Sequence, residues 1–263
     1  MTRARPSGGE TQLAALRHQV ILDLLGEDGQ VSANALSERL GVTHETVRKD
    51  LLHLQERGRL RRVHGGAVPV ASLVHEPLVG ARTAQAEEKA RIARAAAQFV
   101  PDEGAVILDS GSTTAALAEA FPASPNVLAI TNSLPVAVML LARAATVVTL
   151  GGRVRPETQA TVDEWALRQL ETVRADVAFL GANACSVEHG LATPDQSEAA
   201  VKAAFVRSAR LRVLLADHTK FGRESVFHYA TLEEIDVVVT DTGMTDRAAR
   251  ELEKACGVEV VRA

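Results

Sequence analysis

The stretch AVILDSGSTTAALAEAF, residues 105–121, decides how the larger part of this chain folds. Val106, Ile107 and Leu108 form a short apolar run that ends at Asp109. Ser110, Gly111, Ser112, Thr113 and Thr114 follow, and then an alanine-rich helical pattern. A helix N-terminus carries unpaired N–H groups and a partial positive charge. Small residues let an anion approach that backbone, and hydroxyls add donors. The stretch therefore reads as an anion cradle, with phosphate the natural occupant. The other reading is a polar loop in which Thr113 or Thr114 is an ordinary N-cap.

Outward from this stretch, strands and helices alternate. The pattern predicts strands at 105–109, 127–131, 146–150, 176–180, 211–216 and 235–240. Helices are expected near 87–99, 113–121, 134–143, 163–173, 196–209 and 245–255. Short apolar strands alternating with helices imply an α/β domain whose mainly parallel sheet is covered on both faces. Ligands in such sheets gather at the carboxyl ends of the strands. Those ends read DSGSTT (109–114), TNS (131–133), GGR (151–153), GAN (181–183), ADHTKFG (216–222) and TDTG (240–243). The candidate effector residues are Asp109, Ser110, Gly111, Ser112, Thr113, Thr114, Thr131, Asn132, Gly151, Gly152, Asp217 and Lys220. Lys220 supplies a point charge for a phosphate, or is a surface lysine. Asn132 binds a sugar hydroxyl, or closes an Asx turn.

Residues 1–68 read differently. After a polar tail, Leu13, Leu16, Val20, Ile21, Leu24 and Leu25 recur at helical spacing. GEDGQ (26–30) is expected to break that helix. A second helix follows from Ser32 to about Leu40, Gly41 turns the chain, and Thr43 caps a third helix to about Arg57. Val47, Leu51 and Leu54 form the buried stripe of the third helix. Thr43, His44, Glu45, Thr46, Arg48 and Lys49 are left on the outward face and first turn, the arrangement of a major-groove recognition helix. GRLRRVHGGAVPV (58–70) then reads as a β-hairpin wing. Arg59, Arg61, Arg62 and His64 would sit on it and grip phosphates beside the groove. The competing reading is a small helical bundle with a solvated charged face.

Composition agrees with this division. The chain has 263 residues and a net charge of −4, which by itself signals no nucleic-acid partner. Between Arg48 and Arg62, however, six bases face two acids, and a local patch matters more for DNA than the total. Cys185 and Cys256 are the only cysteines, so neither a disulfide framework nor a zinc site is expected. No metal and no cofactor are expected. No apolar run reaches the ~20 residues of a membrane span and no apolar leader follows MTRARPSGGE, so a cytoplasmic setting is expected. The chain lacks G-x-x-x-x-G-K-[ST], G-x-G-x-x-G and H-E-x-x-H.

GVTHETVRKDLLHLQERGRLRRVHGGAV (41–68) resembles the N-terminal winged helix-turn-helix of the DeoR family of bacterial regulators. The resemblance continues through LDSGSTT, TNSLPVA, LGGRVR, FLGANACSVEHGLATPDQSEAAVK, LLADHTKFG and IDVVVTD, roughly residues 12–260. It implies a C-terminal sensor similar in fold to ribose-5-phosphate isomerase. It also implies that DSGSTT and Lys220 hold a phosphorylated sugar, with Glu198 and Lys202 near the pocket. Two positions depart from the family pattern. Lys49 stands where an arginine is usual, keeping the charge but not the bidentate fork. Asp163 stands where glycine is usual, so the loop is open to strain.

The domains expected are a winged helix-turn-helix at 12–68, a linker at 69–86 and an α/β sensor at 87–263. An enzyme would need a positioned acid–base pair, and Asp109, Glu198 and Asp217 each have a structural alternative: loop cap, i+4 partner of Lys202, and turn residue. A pocket joined to a winged helix needs to bind rather than turn over, so no catalytic residue is assigned. The reading is a repressor of carbohydrate-metabolism genes. Its partners are double-stranded operator DNA, a phosphorylated sugar or related effector, and a second copy in a homodimer or homotetramer. An active isomerase with a DNA-binding head is the alternative, and a scaffold using the head for protein contacts is a third class.

Overall fold

The computed structural model describes residues 8–28, 31–57, 59–63, 65–69, 82 and 84–263. The chain divides into two compact units, Met1–Ser72 and Leu73–Ala263. Most of the expected linker, 70–81 and 83, lies outside the described residues.

In the first unit, helix α1 (Gly8–Asp28) is followed by the two-residue strand β1 (Val31–Ser32), α2 (Ala33–Leu40) and α3 (His44–Glu56). The hairpin of β2 (Leu60–Val63) and β3 (Gly66–Pro69) closes the unit. Ser32 caps α2 by accepting from the Ala35 amide at 3.1 Å, and Gly41, at φ 62°, ends it. Ile21, Leu24, Leu25, Leu36, Val47, Leu51, Leu54 and Leu60 form one core. α1 ends at Asp28, inside GEDGQ, where the sequence predicts the break, with Gly26 in its last turn. A helical glycine costs only about 1 kcal/mol, and the buried Leu24 and Leu25 just before it hold the last turns in place.

In the second unit, α4 (Ala86–Ala96) runs through a short 3₁₀ turn to β4 (Glu103–Leu108). There follow α5 (Ser112–Ala120), β5 (Ser124–Thr131), α6 (Leu134–Leu140), β6 (Ala144–Thr149), the hairpin β7 (Arg153–Arg155) and β8 (Ala160–Val162), α7 (Glu164–Leu170) and β9 (Ala175–Gly181). The chain continues through β10 (Ala184–Ser186), β11 (Gly190–Thr193), α8 (Gln196–Ser208), β12 (Ala209–Leu215), β13 (Phe227–Ala230), β14 (Val237–Thr240), α9 (Asp246–Cys256) and β15 (Glu259–Arg262). Seven strands form one parallel sheet in the order β15-β14-β12-β9-β4-β5-β6.

Side-chain alternation divides the interior into two cores. Ile107, Ile130, Ala178, Leu180, Leu214 and Val238 pack under α7, α8 and α9. Val106, Leu108, Ala129, Phe179, Val213 and Val239 pack under α4, α5 and α6. The sheet is thus covered on both faces, which a parallel sheet requires. Six of the seven strands, β4, β5, β6, β9, β12 and β14, fall where the apolar runs predict. β15 and the short strands β7, β8, β10, β11 and β13 do not follow from the sequence pattern. At three or four residues each they are too short for a period of two to show.

Candidate functional site

Because the seven strands are parallel, every loop that follows a strand's carboxyl end lies along one edge of the sheet. Asp109–Gly111, Asn132, Gly151, Gly152, Asp217, Lys220 and Asp241 therefore share that edge. Asp109 is fully buried. Its Oδ1 accepts from the Ser110 amide at 2.7 Å, and its Oδ2 accepts from the Gly181 amide at 2.9 Å and from the ammonium of Lys202. Lys202 Nζ also donates to the Gly181 carbonyl at 3.1 Å and lies 5.7 Å from the ring centre of Tyr229. Burial first, then the nearby Asp109 charge, pushes the Tyr229 phenol well above its ordinary range. Its hydroxyl stays a donor, bonded to the Gly181 carbonyl at 2.8 Å.

Neither Thr113 nor Thr114 caps α5. The capping position is Gly111, at φ 140° and ψ 165°, and no side chain closes the helix start. Such a conformation is open to glycine and strained for other residues. Thr114 Oγ1 instead donates to the Gly111 carbonyl at 3.0 Å. The ordinary-cap reading fails here, and the N-terminal amides of α5 face the edge without a side-chain acceptor.

Asn132 does not close an Asx turn. Its Nδ2 donates to the Thr161 carbonyl at 3.0 Å, and its Oδ1 is buried without a partner among the described residues. Thr131 Oγ1 accepts from the Ser133 amide at 3.0 Å. Gly151 N–H donates to Gln169 Oε1 at 3.2 Å. Gly152, at φ 147°, sits so close to β8 that a Cβ there would lie 2.4 Å from the Val162 carbonyl oxygen.

Glu198 and Lys202 do not use each other. Glu198 takes Arg155 at 3.2 Å, the Thr158 hydroxyl and the Thr193 hydroxyl at 3.3 Å. Arg155 in turn lies 3.3 Å from Asp195, the N-cap of α8. Asp217 takes the turn role: its Oδ1 accepts from the Thr219 amide at 3.0 Å.

Two groups on this edge escaped the sequence reading. Asp241 is buried and accepts from His218 N at 2.7 Å, His218 Nδ1 at 2.7 Å and the Gly243 amide at 2.8 Å. Burial pushes its carboxyl up, but the His218 and Gly243 hydrogen bonds outweigh that and hold it below the usual range. Lys89, on α4, is buried and donates to the carbonyls of Arg82 and Ala84 at 3.1 and 2.5 Å. Nothing in the spacing of these residues marks them, because the His218 partner of Asp241 comes from another loop and the role of Lys89 follows from its burial.

Asp163 stands at φ 77° and ψ −172°, a region essentially reserved for glycine. The strain expected from the missing glycine is there. Its carboxylate pairs with Arg153 at 2.7 Å. Hydrogen bonds from Arg153 and Ser197 hold it below the usual carboxylate range.

In the first unit, Thr43 caps α3, accepting from the Thr46 amide at 3.2 Å. Thr43, His44, Glu45, Arg48 and Lys49 are exposed and Thr46 is half-buried. Lys49 lies 3.9 Å from Glu45, a loose surface pair. Asp50, on the buried face, binds Arg17 at 2.5 and 2.9 Å and His18 at 2.9 Å, fixing α1 to α3. Burial pushes Asp50 up, yet the Arg17 and His18 hydrogen bonds outweigh it and hold the carboxyl low. On the hairpin, Arg61 pairs with Val68 and Arg62 with Ala67. The Arg62 amide donates to Gln55 Oε1 at 2.9 Å, tying the wing to α3. Arg59 is exposed and Arg62 half-buried. His64 lies outside the described residues.

Among the described residues, no helix is long and apolar enough to cross a membrane. The pattern of the DeoR C-terminal sensor domain matches residues 84–242, and that of the DeoR-like helix-turn-helix domain matches residues 17–72. The chain is 39% identical over 250 residues to the HTH-type transcriptional regulator GlpR of Haloferax volcanii, covering 95% of this chain and 98% of that one. It is 32% identical over 226 residues to the glycerol-3-phosphate regulon repressor of Escherichia coli K12, covering 86% and 90%. A ribose 5 phosphate isomerase A from Neisseria gonorrhoeae is 20% identical over 53% of this chain and 55% of that one. Its TM-score is 0.39. With both of its parts matched and its relatives covered nearly end to end, the chain belongs to the DeoR family and is a DNA-binding transcriptional regulator.

Proposed function

We infer that this regulator is a repressor of carbohydrate-metabolism genes whose hold on operator DNA is controlled by a phosphorylated sugar or related metabolite bound at the carboxyl edge of the sheet. The observation that carries the reading is Asn132. Its Oδ1 is buried without a partner among the described residues, and an unsatisfied buried acceptor costs about 1–3 kcal/mol. A ligand hydroxyl would remove that cost. The uncapped start of α5 at Ser110–Thr114 offers amides and hydroxyls for a phosphate on the same edge. Lys220 adds a point charge, and Asp109, Glu198 and Lys202 hold the surrounding loops. Thr131, Gly151, Gly152 and Asp217 shape the edge. The likeness to the glycerol-3-phosphate regulon repressor of Escherichia coli favours a phosphorylated polyol or sugar.

In the head, Thr43, His44, Glu45, Thr46, Arg48 and Lys49 would face the major groove, and Arg59, Arg61, Arg62 and His64 the phosphates beside it. A homodimer or homotetramer would present paired heads to half-sites. The edge binds rather than catalyses: Asp109 is tied to Lys202, and Glu198 to Arg155, so neither is poised as a base.

Thermal unfolding against a panel of sugar phosphates tests this, with inorganic phosphate as the control. A true effector at 100 times its Kd raises stability by ~2.7 kcal/mol and changes retention of operator DNA. If no sugar phosphate shifts unfolding, or if the protein interconverts aldose and ketose phosphates at enzyme-like rates, the reading is wrong.

A further inference from the structure

Lys89 is a buried cation for which the proposed mechanism has given no use. It is 7% exposed. Its Nζ donates to two backbone carbonyls, those of Arg82 and Ala84, and no carboxylate pairs with it among the described residues. An ammonium has three donors, so one remains without a partner among the described residues. A buried charge held only by neutral carbonyls is electrostatically incomplete. Burial lowers its proton affinity, with Asp217 the strongest opposing charge and Lys220 and Arg82 pushing the same way as burial.

Its place in the fold gives that incompleteness a meaning. Helix α4 leads through residues 97–99 into the amino end of β4, so its own start lies at the carboxyl edge. It packs on the same face of the sheet as α5. Lys89, in the first turn of α4, therefore stands on the edge that holds the start of α5, and feels the charges of Asp217 and Lys220. The carbonyls it holds belong to residues 82 and 84, the end of the segment that leads from the DNA-binding head into the sensor.

We propose that Lys89 couples effector to operator: the anionic group of the effector takes the remaining N–H of the Lys89 ammonium, and the change in its grip on the Arg82 and Ala84 carbonyls alters the segment leading from the head. The proposal rests on the effector reading above and adds the residue through which that reading acts. It makes Lys89 both an anion contact and a positioning residue for the Arg82 and Ala84 carbonyls.

The test uses full-length protein and a duplex that the protein itself selects from a random DNA pool. Operator affinity is measured with and without a saturating sugar phosphate chosen by thermal shift, for wild type, Lys89→Met, Lys89→Gln and Lys89→Arg. Wild type is expected to change its operator affinity by about tenfold or more on adding effector. Lys89→Met and Lys89→Gln are expected to bind the effector about tenfold or more weakly. Even at saturation, their operator affinity should change by no more than about twofold. Lys89→Arg, which keeps the charge, should retain most of the response. Near-UV circular dichroism and operator affinity without effector report whether each variant is folded, and the glutamine form replaces the methionine form if the latter fails to fold. A full response in folded Lys89→Met or Lys89→Gln overturns this proposal alone. A wild-type protein whose operator binding ignores every sugar phosphate overturns the effector reading and this proposal with it.

Discussion

Lys202 bonds Asp109, 93 positions away, rather than Glu198, four positions away on the same helix. One turn of α8 thus divides its charges: Lys202 ties the end of β4 to the end of β9, and Glu198 ties α8 to the hairpin that carries Arg155 and Thr158. Both pairs are buried on at least one side. Removing one partner strands the other.

Lys202→Met should therefore destabilise the protein by about 3–5 kcal/mol, the cost of an uncompensated buried charge. The double variant Asp109→Asn, Lys202→Met should cost less than the sum of the two singles. Urea unfolding of the four proteins measures both. Additive losses would mean that the pair is not coupled.

Asp163→Gly should stabilise the protein by about 1 kcal/mol. It releases backbone strain worth about 1–3 kcal/mol and loses a solvent-screened ion pair to Arg153, which contributes little. Chemical denaturation decides the sign. A loss of stability would show that the contacts to Arg153 and Ser197 outweigh the strain.

Arg48→Ala should weaken operator binding by about 1–3 kcal/mol and relax base preference at the position it reads. Arg59→Ala should weaken binding to all sequences alike and reduce the salt slope by about 1. Fluorescence anisotropy across a salt series separates the two. Unchanged DNA affinity in both would move the head's role to protein contacts.

Asp50 sets a pH dependence in the head. Its folded-state pKa lies below the ordinary carboxylate value because of Arg17 and His18. A lowered pKa contributes stability that is present above the unfolded value, ~3.9, and is lost as pH falls through it toward the folded value. The head should lose stability on acidification below about pH 4. In Asp50→Asn that part of the pH dependence should disappear, although the variant is less stable at neutral pH. Circular dichroism of α1–α3 melting at stepped pH reads it out. An equally steep acid limb in Asp50→Asn would assign the effect elsewhere.

Much of the architecture was legible because it rests on local periodicity. Val47, Leu51 and Leu54 repeat at helical spacing and are buried, and Val106 to Leu108 form a run long enough to mark a central strand. The loop DSGSTT could be singled out, since small polar residues between a strand and a helix are a local pattern. Asp163 could be flagged only through the family resemblance, which places glycine there, and its backbone conformation is what the structure adds.

The amino-acid sequence by itself determined the helices of the head, the central strands, their order along the chain and which loops carry small polar residues, because each depends on neighbours a few positions apart. Only the tertiary structure decided that Lys202 serves Asp109, that Asp241 orients His218, that Asn132 keeps a buried acceptor unmet among the described residues and that Lys89 holds the Arg82 and Ala84 carbonyls. The first three join residues from separate strands and loops, and the Lys89 contacts, five and seven positions away, depend on its burial. Burial decides which partner a charge takes, and burial is a property of the packed sheet rather than of sequence spacing.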